Sequence, residues 1–279
     1  MSDEPIDMYW WDDAKHGRNF GDAASPKIVK ALSGCTIRKA KEPGDTRLLA
    51  CGSILKWARK GDRIWGAGQA NVAHETNPGI EVHAVRGPLT RASLQAQGIR
   101  CPDVYGDPGL LLPLLYGPRR PERHYRIGIV PHYVDHEHAK MLLQGKLKDS
   151  DALLIDVMSG PAKVIDAICS CDWIASSSLH GLVAAEAYGV PALWVEFSDK
   201  VSGNGMKFRD YYLSLRDDFC SPVNWRSKVE LAQVEPESSL PEVERLIEVQ
   251  HGLLESAPFE LRQEITPAHV REDEGWAWQ

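Results

Sequence analysis

The sequence has no apolar run that approaches the roughly 20 residues of a membrane-spanning helix. Its first five residues, Met-Ser-Asp-Glu-Pro, are acidic rather than apolar, so we expect no secretory signal there. An excess of positive charge is also missing. The formal net charge of −7 argues against bulk attraction to nucleic acid or to an anionic membrane. An anionic substrate would therefore have to be held by local cations and backbone amides.

Paired cysteines at metal-binding spacing are also absent. The six cysteines lie mostly in apolar segments, and Cys169 and Cys171 form a lone C-x-C motif without a second pair. This usage is typical of reduced core cysteines in a cytoplasmic protein, and it argues against a structural zinc site. Asp135, His136 and His138 have no acidic or cysteine partner at a recognisable spacing. We therefore expect no metal site.

Strand-length apolar segments alternate with helical patterns along nearly the whole chain. This alternation predicts an α/β fold of stacked βα units around largely parallel sheets. The length of 279 residues suits two domains, and we expect two Rossmann-like domains that face each other across a cleft. We place the N-terminal domain at 1–118, the C-terminal domain at 124–255 and a charged, tryptophan-containing tail at 256–279. A polar, proline-broken linker at 116–123 separates the domains.

The apolar patterns also predict individual elements. Strands are expected at 8–11, 48–52, 63–68, 82–85, 125–130, 152–157, 173–175 and 192–197. Helices are expected at 22–34, 88–97, 137–144, 160–171, 207–215 and 240–254, with one more after the turn at 175–181. Asp22 is the expected N-cap of the first helix, and Gly34 is its expected end. In such folds ligands bind at the carboxyl ends of strands, so the polar strand-to-helix turns are the candidate sites.

The strongest candidate is the turn Ala175-Ser176-Ser177-Ser178-Leu179-His180-Gly181, which joins an apolar strand to a helix of small residues. Such a turn directs backbone N–H groups and the positive end of a helix dipole to one point, which favours binding of an anion such as phosphate. His180 could transfer a proton there or donate a hydrogen bond to an oxyanion. We expect Ser177, Ser178 and Gly181 to bind substrate beside it. The alternative is a structural histidine at a domain interface.

Other turns carry charged candidates. Arg86 ends a strand and could bind a carboxylate or phosphate in a bidentate manner; alternatively it is solvated or paired with an acid. Asp107 either places a carboxylate in the cleft or forms a turn before a proline. His132 ends the first strand of the second domain, a position that favours a ligand role.

Two further segments have competing interpretations. Asn19 and Asp22 belong either to a ligand-binding loop or to a plain helix cap. Lys207 and Arg209 follow a glycine-containing stretch, Ser-Gly-Asn-Gly, and could close over an anion. Alternatively, they form the solvated face of an amphipathic helix.

Taken in order, these motifs resemble those of the polysaccharide pyruvyl transferase family, and within it the enzymes of bacterial exopolysaccharide assembly. The matching segments span roughly residues 8–215 and are Asn19-Phe20-Gly21-Asp22, Gly52-Ser53, Trp65-Gly66-Ala67-Gly68, Val85-Arg86-Gly87-Pro88-Leu89-Thr90, Gly106-Asp107-Pro108, Val130-Pro131-His132 and Ser178-Leu179-His180-Gly181. One difference is that many members carry an arginine two residues before the histidine, where this chain has Ser178. Arg86 and Lys207 are the cations expected to replace that arginine.

The resemblance implies a glycosyltransferase-B-like fold and phosphoenolpyruvate as the donor substrate, with no further cofactor. It implies transfer of a pyruvyl group to a sugar, forming a ketal across two hydroxyls and releasing phosphate. His180 would be the acid or a phosphate ligand, Asp107 or His132 would act as base or orient the acceptor, and Arg86 would hold the donor. The acceptor would belong to a polysaccharide or to a lipid-linked or nucleotide-linked precursor. A lipid-linked acceptor would bring this cytoplasmic protein to the inner face of the membrane.

Two alternatives belong to other functional classes. A sugar-nucleotide-dependent glycosyltransferase of the same fold would use Lys207 or Arg209 to bind the diphosphate. A non-catalytic glycan-binding module would stack sugars on some of the nine tryptophans. The concentration of polar candidates at the strand-to-helix turns favours an enzyme over such a module.

Overall fold

The computed structural model describes residues 4–12, 19–40, 46–117, 123–218, 220–229, 231, 240–262 and 265. Arg18, the centre of the predicted linker at 118–122 and most of the predicted tail beyond residue 262 lie outside the described residues. In the part of the chain that is described, no helix is long and apolar enough to cross a membrane.

The first half of the described chain forms a parallel five-stranded sheet. Its strands are β1 (Ile6–Tyr9), β2 (Ile37–Lys39), β3 (Leu48–Leu49), β4 (Arg63–Trp65) and β5 (Glu81–Ala84). They are arranged in the order β2-β1-β3-β4-β5. The helices of this half are α1 (Phe20–Ser33), α2 (Pro88–Ala96) and α3 (Leu112–Tyr116), with short 3-10 helices at Leu55–Trp57 and Pro108–Leu111.

The second half repeats this architecture. Its strands are β6 (Tyr125–Val130), β7 (Ala152–Leu154), β8 (Cys171–Ser176), β9 (Ala192–Glu196) and β10 (Val223–Asn224). They form a second parallel sheet in the order β10-β9-β8-β6-β7. The helices are α4 (His136–Leu142), α5 (Pro161–Cys169), α6 (Leu179–Ala187), α7 (Met206–Leu215) and α8 (Val243–Glu255), and a 3-10 helix lies at Lys148–Ser150. The predicted α/β class with two Rossmann-like parallel sheets is confirmed.

Capping residues account for the bounds of several helices. Asn19, not Asp22, is the N-cap of α1, because its side chain accepts a hydrogen bond from the Asp22 N–H at 3.1 Å. The prediction that Asp22 caps this helix is therefore wrong. Gly34 ends α1 in the left-handed conformation, as predicted. Pro88 occupies the first turn of α2, where a proline costs no hydrogen bond.

Several other predicted bounds differ from the structure. Four of the eight predicted strands are shorter in the structure, which has strands at Leu48–Leu49, Arg63–Trp65, Ala152–Leu154 and Ala192–Glu196. The predicted helix at 160–171 ends at Cys169, and Cys171 already begins β8. The short edge strands β2 and β10 have only three and two residues, too few for a recognisable alternation of apolar and polar residues. The predicted amphipathic character of α7 is wrong, because eight of its ten residues are buried.

The two halves contact each other through buried polar groups as well as apolar side chains. The largest cluster of buried apolar residues includes side chains from both sheets. Helix α8 lies late in the chain, yet it packs on the first half: the Trp65 indole donates to the Leu253 carbonyl at 2.8 Å, and the Gln250 amide donates to the Leu110 carbonyl at 2.8 Å. The predicted domain bounds stay a prediction.

Candidate functional site

A cavity of about 280 Å³ opens between residues of the two halves. The first half contributes its loops after β1 and β3 and the start of α1, and the second half contributes the turns after β6 and β8 and the start of α7. The lining residues are Trp11, Asn19, Asp22, Gly52, Ser53, Ile54, Lys56, Trp57, His132, Tyr133, Val157, Ser178, Leu179, His180, Ser202 and Lys207. Six of the ten predicted site residues therefore line one cavity: Asn19, Asp22, His132, Ser178, His180 and Lys207.

His180 and Asp107 form the centre of this site. His180 is the second residue of α6, and its Nε2 lies 3.6 Å from Oδ2 of Asp107. The other carboxylate oxygen of Asp107 accepts the Gly109 N–H at 2.9 Å, which fixes the orientation of the carboxylate. Asp107 is fully buried, whereas 14% of the His180 side chain is exposed. Asp107 is therefore suited to orient His180 rather than to touch a substrate.

The two groups shift each other's pKa toward the charged forms. Burial lowers the pKa of His180, but the Asp107 carboxylate and Asp22 outweigh burial and leave the pKa above its ordinary value. Burial likewise raises the pKa of Asp107, but His180, the Gly109 N–H and Arg86 outweigh it and leave the pKa below its ordinary value. These shifts favour an imidazolium beside a carboxylate, so His180 is suited to hold a proton that it can donate.

Gly21 determines where the His180 ring lies. A Cβ atom at residue 21 would lie 2.0 Å from Nδ1 of His180, closer than any real contact. The ring thus packs directly on the backbone of α1, with Phe20 edge-on at 6.3 Å. The Nδ1 edge of the ring lies against Gly21, and Nε2 lies toward Asp107. In the sequence, Gly21 stands only as part of the motif Asn19-Phe20-Gly21-Asp22, with no sign of this role.

The backbone of the His180 turn differs from the predicted arrangement. The helix begins at Leu179, and the Gly181 N–H donates to the Ser178 carbonyl at 3.0 Å, so it is not available to an anion. A Cβ at Gly181 would lie 2.5 Å from the Ser176 hydroxyl, which shows that this glycine lets α6 approach β8. The predicted substrate contact of Gly181 stays a prediction that this hydrogen bond disfavours. The N–H groups of Leu179 and His180 have no hydrogen-bond partner among the described residues.

Ser177 supports His132 and does not face the cavity. Its hydroxyl accepts the His132 backbone N–H at 2.9 Å and donates to Asp135 Oδ2 at 2.9 Å. Ser177 is 1% exposed, so its predicted substrate contact stays a prediction that this burial disfavours. Asp135, which sequence reasoning considered only as a metal ligand, is fully buried and also accepts a hydrogen bond from Ser198. This network fixes the loop that carries His132.

His132, Asp22 and Lys207 provide the remaining titratable groups of the cavity. Burial lowers the pKa of His132 to about 3, with help from the positive charges of Lys207 and His180, so its ring is neutral. Burial raises the pKa of Asp22 to about 6, although His180, Asn19 and Lys207 oppose this shift. Burial and Arg86 lower the pKa of Lys207 to about 8, while Asp22 and Asp135 oppose the shift.

Lys207 faces the cavity from the first turn of α7. Lys207 is buried, with only 8% of the residue exposed. Among the described residues, no carboxylate lies within ion-pair distance of its ammonium group. The alternative of a solvated helix face is therefore wrong for Lys207. Arg209 is directed elsewhere: its guanidinium donates to the Asn204 carbonyl at 2.8 Å and lies over the Trp194 ring.

Arg86 does not line the cavity. Its Nε donates to Asp210 at 3.0 Å, and its two terminal nitrogens donate to the Ser53 hydroxyl and the Gln69 carbonyl, each at 2.7 Å. The side chain is fully buried, and a Cβ at Gly68 would collide with its guanidinium at 2.4 Å. Because Asp210 lies on α7, this ion pair joins the two halves. The predicted donor contact of Arg86 stays a prediction that these contacts disfavour.

The described residues contain no group of three or more histidine, cysteine, aspartate or glutamate side chains that could hold a metal ion. Aromatic residues form part of the cavity wall that sequence reasoning did not identify: Trp11, Trp57 and Tyr133. Nothing in the spacing of the nine tryptophans marked these positions, because Trp11 and Trp57 meet only when the loops after β1 and β3 come together.

Comparisons with known proteins identify the family. A family model described as polysaccharide pyruvyl transferase matches residues 71–199. The succinoglycan biosynthesis protein ExoV of Rhizobium meliloti (strain 1021) is 28% identical over 227 residues. The chain belongs to the polysaccharide pyruvyl transferase family. An uncharacterized protein, L143, of Acanthamoeba polyphaga mimivirus is 32% identical over 210 residues, which cover 73% of this chain and 71% of that protein.

The two alignments with the pyruvyl transferase family differ in extent. The alignment with ExoV covers 74% of this chain but 64% of ExoV, so the match spans less than two thirds of that relative. The matched family segment contains Arg86, Asp107, His132 and His180. Asn19, Asp22 and Lys207 lie outside it, and only the tertiary structure places them beside His180. Membership in this family supports a transferase activity.

Proposed function

We propose that this protein transfers a pyruvyl group from phosphoenolpyruvate to a sugar of an exopolysaccharide or its precursor, with release of phosphate. The observation that carries the proposal is the convergence of the His180–Asp107 pair and Lys207 on one cavity. The pair supplies a proton, and Lys207 supplies a cation without a carboxylate partner among the described residues. A small dianionic donor whose methylene carbon must be protonated needs both groups.

The donor anion is held by Lys207 and the N-terminus of α6. The unpaired N–H groups of Leu179 and His180 lie at the positive end of a nine-residue helix that lines the cavity. Lys207 thereby takes the place of the arginine that many family members carry where this chain has Ser178. No further cofactor enters the proposal.

In the reaction, His180 donates its proton to the methylene carbon of phosphoenolpyruvate, and a sugar hydroxyl adds to C2. That hydroxyl passes its proton to Asp22, whose carboxylate lies in the same cavity and is basic enough to accept it near neutral pH. The C2–O bond to phosphate then breaks, and phosphate leaves with the electron pair. The second hydroxyl attacks C2 and passes its proton to the His180 imidazole, which closes the ketal and restores the imidazolium. Asp22 returns its proton to the departing phosphate.

The location of the site supports a wider architectural proposal. Both halves of the chain contribute lining residues to the cavity. We infer that they correspond to the two domains of a glycosyltransferase-B-like fold, with donor groups mainly on the second half. We also infer a cytoplasmic enzyme that meets a lipid-linked acceptor at the inner face of the membrane.

Ligand-induced thermal stabilisation tests the proposal. Phosphoenolpyruvate, UDP and UDP-sugars are compared on the wild type, His180→Ala and the control His124→Ala, which removes an exposed histidine outside the cavity. A ligand at 100 times its Kd stabilises the folded state by about 2.7 kcal/mol, a readily measured shift. We expect stabilisation by phosphoenolpyruvate in the wild type and the control, and a smaller shift in His180→Ala.

Stabilisation by the nucleotides alone would instead identify a sugar-nucleotide-dependent glycosyltransferase. If phosphoenolpyruvate binds, a turnover assay with mixed exopolysaccharide precursors should release inorganic phosphate only when an acceptor is present. Binding without acceptor-dependent release of phosphate would contradict the proposed transfer.

A further inference from the structure

One wall of the cavity is aromatic and has no role in donor chemistry. Trp11, after β1, and Trp57, in the short 3-10 helix after β3, lie with ring centroids 4.7 Å apart and ring planes inclined by 32°. Tyr133 lines the same cavity from the second half of the chain, with its ring centroid 4.4 Å from that of His132. All three are half-buried, so part of each ring remains open to the cavity.

These rings differ chemically from the donor groups. Phosphoenolpyruvate is small and strongly anionic, so contact with an indole face adds little to its binding affinity. A pyranose ring presents the opposite character: one face consists of C–H bonds, and the hydroxyls point outward from its edge. An indole with nearby polar side chains suits such a ligand, because the ring face buries the C–H surface and the edge hydroxyls find hydrogen-bond partners.

Polar side chains share the cavity with the aromatic rings. Asn19, Asp22 and Ser53 line it together with the aromatic wall. The exposed Lys56 side chain lies over the Trp57 ring, with its ammonium nitrogen 4.1 Å from the ring centroid. That face of Trp57 is thus covered by an exposed side chain rather than by core atoms, and a ligand can displace it.

We propose that Trp11, Trp57 and Tyr133 form the acceptor subsite and that they bind the C–H face of a pyranose, with its hydroxyls toward Asp22. This inference rests on the proposed function, because it assigns the second substrate of the same cavity. It also explains why one cavity is lined by Lys207 and His180 as well as by aromatic rings. The stacked sugar then presents a hydroxyl to the carboxylate that accepts its proton.

Saturation-transfer NMR with simple glycosides tests the subsite. The probes are methyl β-D-galactopyranoside, methyl β-D-glucopyranoside and methyl α-D-mannopyranoside, each with the wild type, Trp57→Ala and Trp57→Phe. We expect saturation of the C–H protons of one ring face for at least one probe. Trp57→Ala should weaken its binding about tenfold, equal to about 1.4 kcal/mol, and Trp57→Phe should restore most of it.

Two controls separate local from global effects. Tyr125→Ala removes an exposed aromatic residue outside the cavity and should leave glycoside binding unchanged. Thermal stabilisation by phosphoenolpyruvate should persist in Trp57→Ala, which shows that the donor end is intact. Equal glycoside affinity in the wild type and Trp57→Ala, or no saturation transfer to any of the three probes, would overturn the subsite. If phosphoenolpyruvate does not bind to the wild type, the result overturns the proposed function instead.

Discussion

At the scale of single residues, the site depends on charges that are buried and therefore shifted in pKa. Asp107 maintains the imidazolium of His180, and Lys207 gives up part of its ordinary basicity because it is buried near Arg86. Residues of the same type thus differ in pKa according to their surroundings in the structure. His132 and His180 both follow strands of the second sheet, yet one ring is neutral and the other is charged.

Asp107→Asn should lower the pKa of His180, because burial then acts without the opposing carboxylate. A histidine whose pKa is raised on folding stabilises the protein below about pH 6.5 and ceases to do so as the pH rises through its folded-state pKa. Asp107, whose pKa is lowered, contributes above about pH 4 and loses its contribution in acid. The stability difference between wild type and Asp107→Asn should therefore be largest between about pH 4 and 6.5.

The measurement is an NMR titration of the His180 ring together with denaturant unfolding at several pH values. An unchanged His180 pKa in Asp107→Asn would show that the pair is not coupled.

Lys207→Ala should weaken phosphoenolpyruvate binding by about 1.5–3 kcal/mol, the usual contribution of a hydrogen bond to a charged group. In the wild type, affinity should fall as the pH rises through about 8, because Lys207 then loses its charge. The side chain at position 207 stays charged above this pH in Lys207→Arg, so the affinity of this variant for phosphoenolpyruvate should not fall. Calorimetric titration from pH 7 to 9 measures both effects, and identical pH profiles for wild type and Lys207→Arg would argue against Lys207 as the donor ligand.

At the scale of elements, the site forms where the first turn of α1 packs against the first turn of α6. Helix α1 presents Gly21 to the His180 ring, and α6 presents Gly181 to β8. Both glycines lie in helices, where their usual effect is to weaken the element by about 0.5–1 kcal/mol relative to alanine. Here the missing Cβ atoms allow the close approach that brings His180 beside Asp107.

Gly21→Ala should therefore displace the His180 ring, since the new Cβ would lie 2.0 Å from Nδ1. We expect reduced stabilisation by phosphoenolpyruvate while the helical circular dichroism is retained. Gly252→Ala in α8 is the matched control, because its Cβ would meet its nearest neighbour at an ordinary 3.5 Å. The control should be neutral or stabilising by up to about 1 kcal/mol. Wild-type donor affinity in Gly21→Ala would contradict this account of the ring position.

At the scale of the whole molecule, two parallel sheets are held together by buried polar contacts as well as by apolar packing. Asp210 of α7 receives Arg86 from the first half and also accepts both the N–H and the hydroxyl of Thr90. The same helix carries Lys207 into the cavity one turn earlier. Helix α7 therefore both joins the two halves through Asp210 and places Lys207 in the cavity.

Arg86→Ala should cost about 3–5 kcal/mol of unfolding free energy, because it leaves the buried Asp210 carboxylate without its cation. Replacing both partners, as in Arg86→Met with Asp210→Leu, should cost less than the single change, since no charge is then buried alone. Chemical denaturation of the two variants measures the difference. A loss below 1 kcal/mol in Arg86→Ala, combined with loss of phosphoenolpyruvate binding, would return Arg86 to the donor-binding role predicted from the sequence.

The sequence by itself determined the α/β class, the bounds of the strand Tyr125–Val130, the helix end at Gly34 and the turn at His180. These features depend on local chemistry: apolar periodicity, capping and glycine conformation. The motifs also determined the family, because their order along the chain is a property of the sequence alone.

The tertiary structure alone decided which polar residues share a cavity. Arg86 and Lys207 look alike in sequence as cations near strand or helix ends, but one is paired with Asp210 across the halves and the other faces the site. Trp11 and Trp57 become neighbours only when two loops meet. Such placements depend on contacts between residues tens to more than a hundred positions apart, which no local pattern encodes. The pKa values that distinguish acid from base follow from the burial that these contacts create.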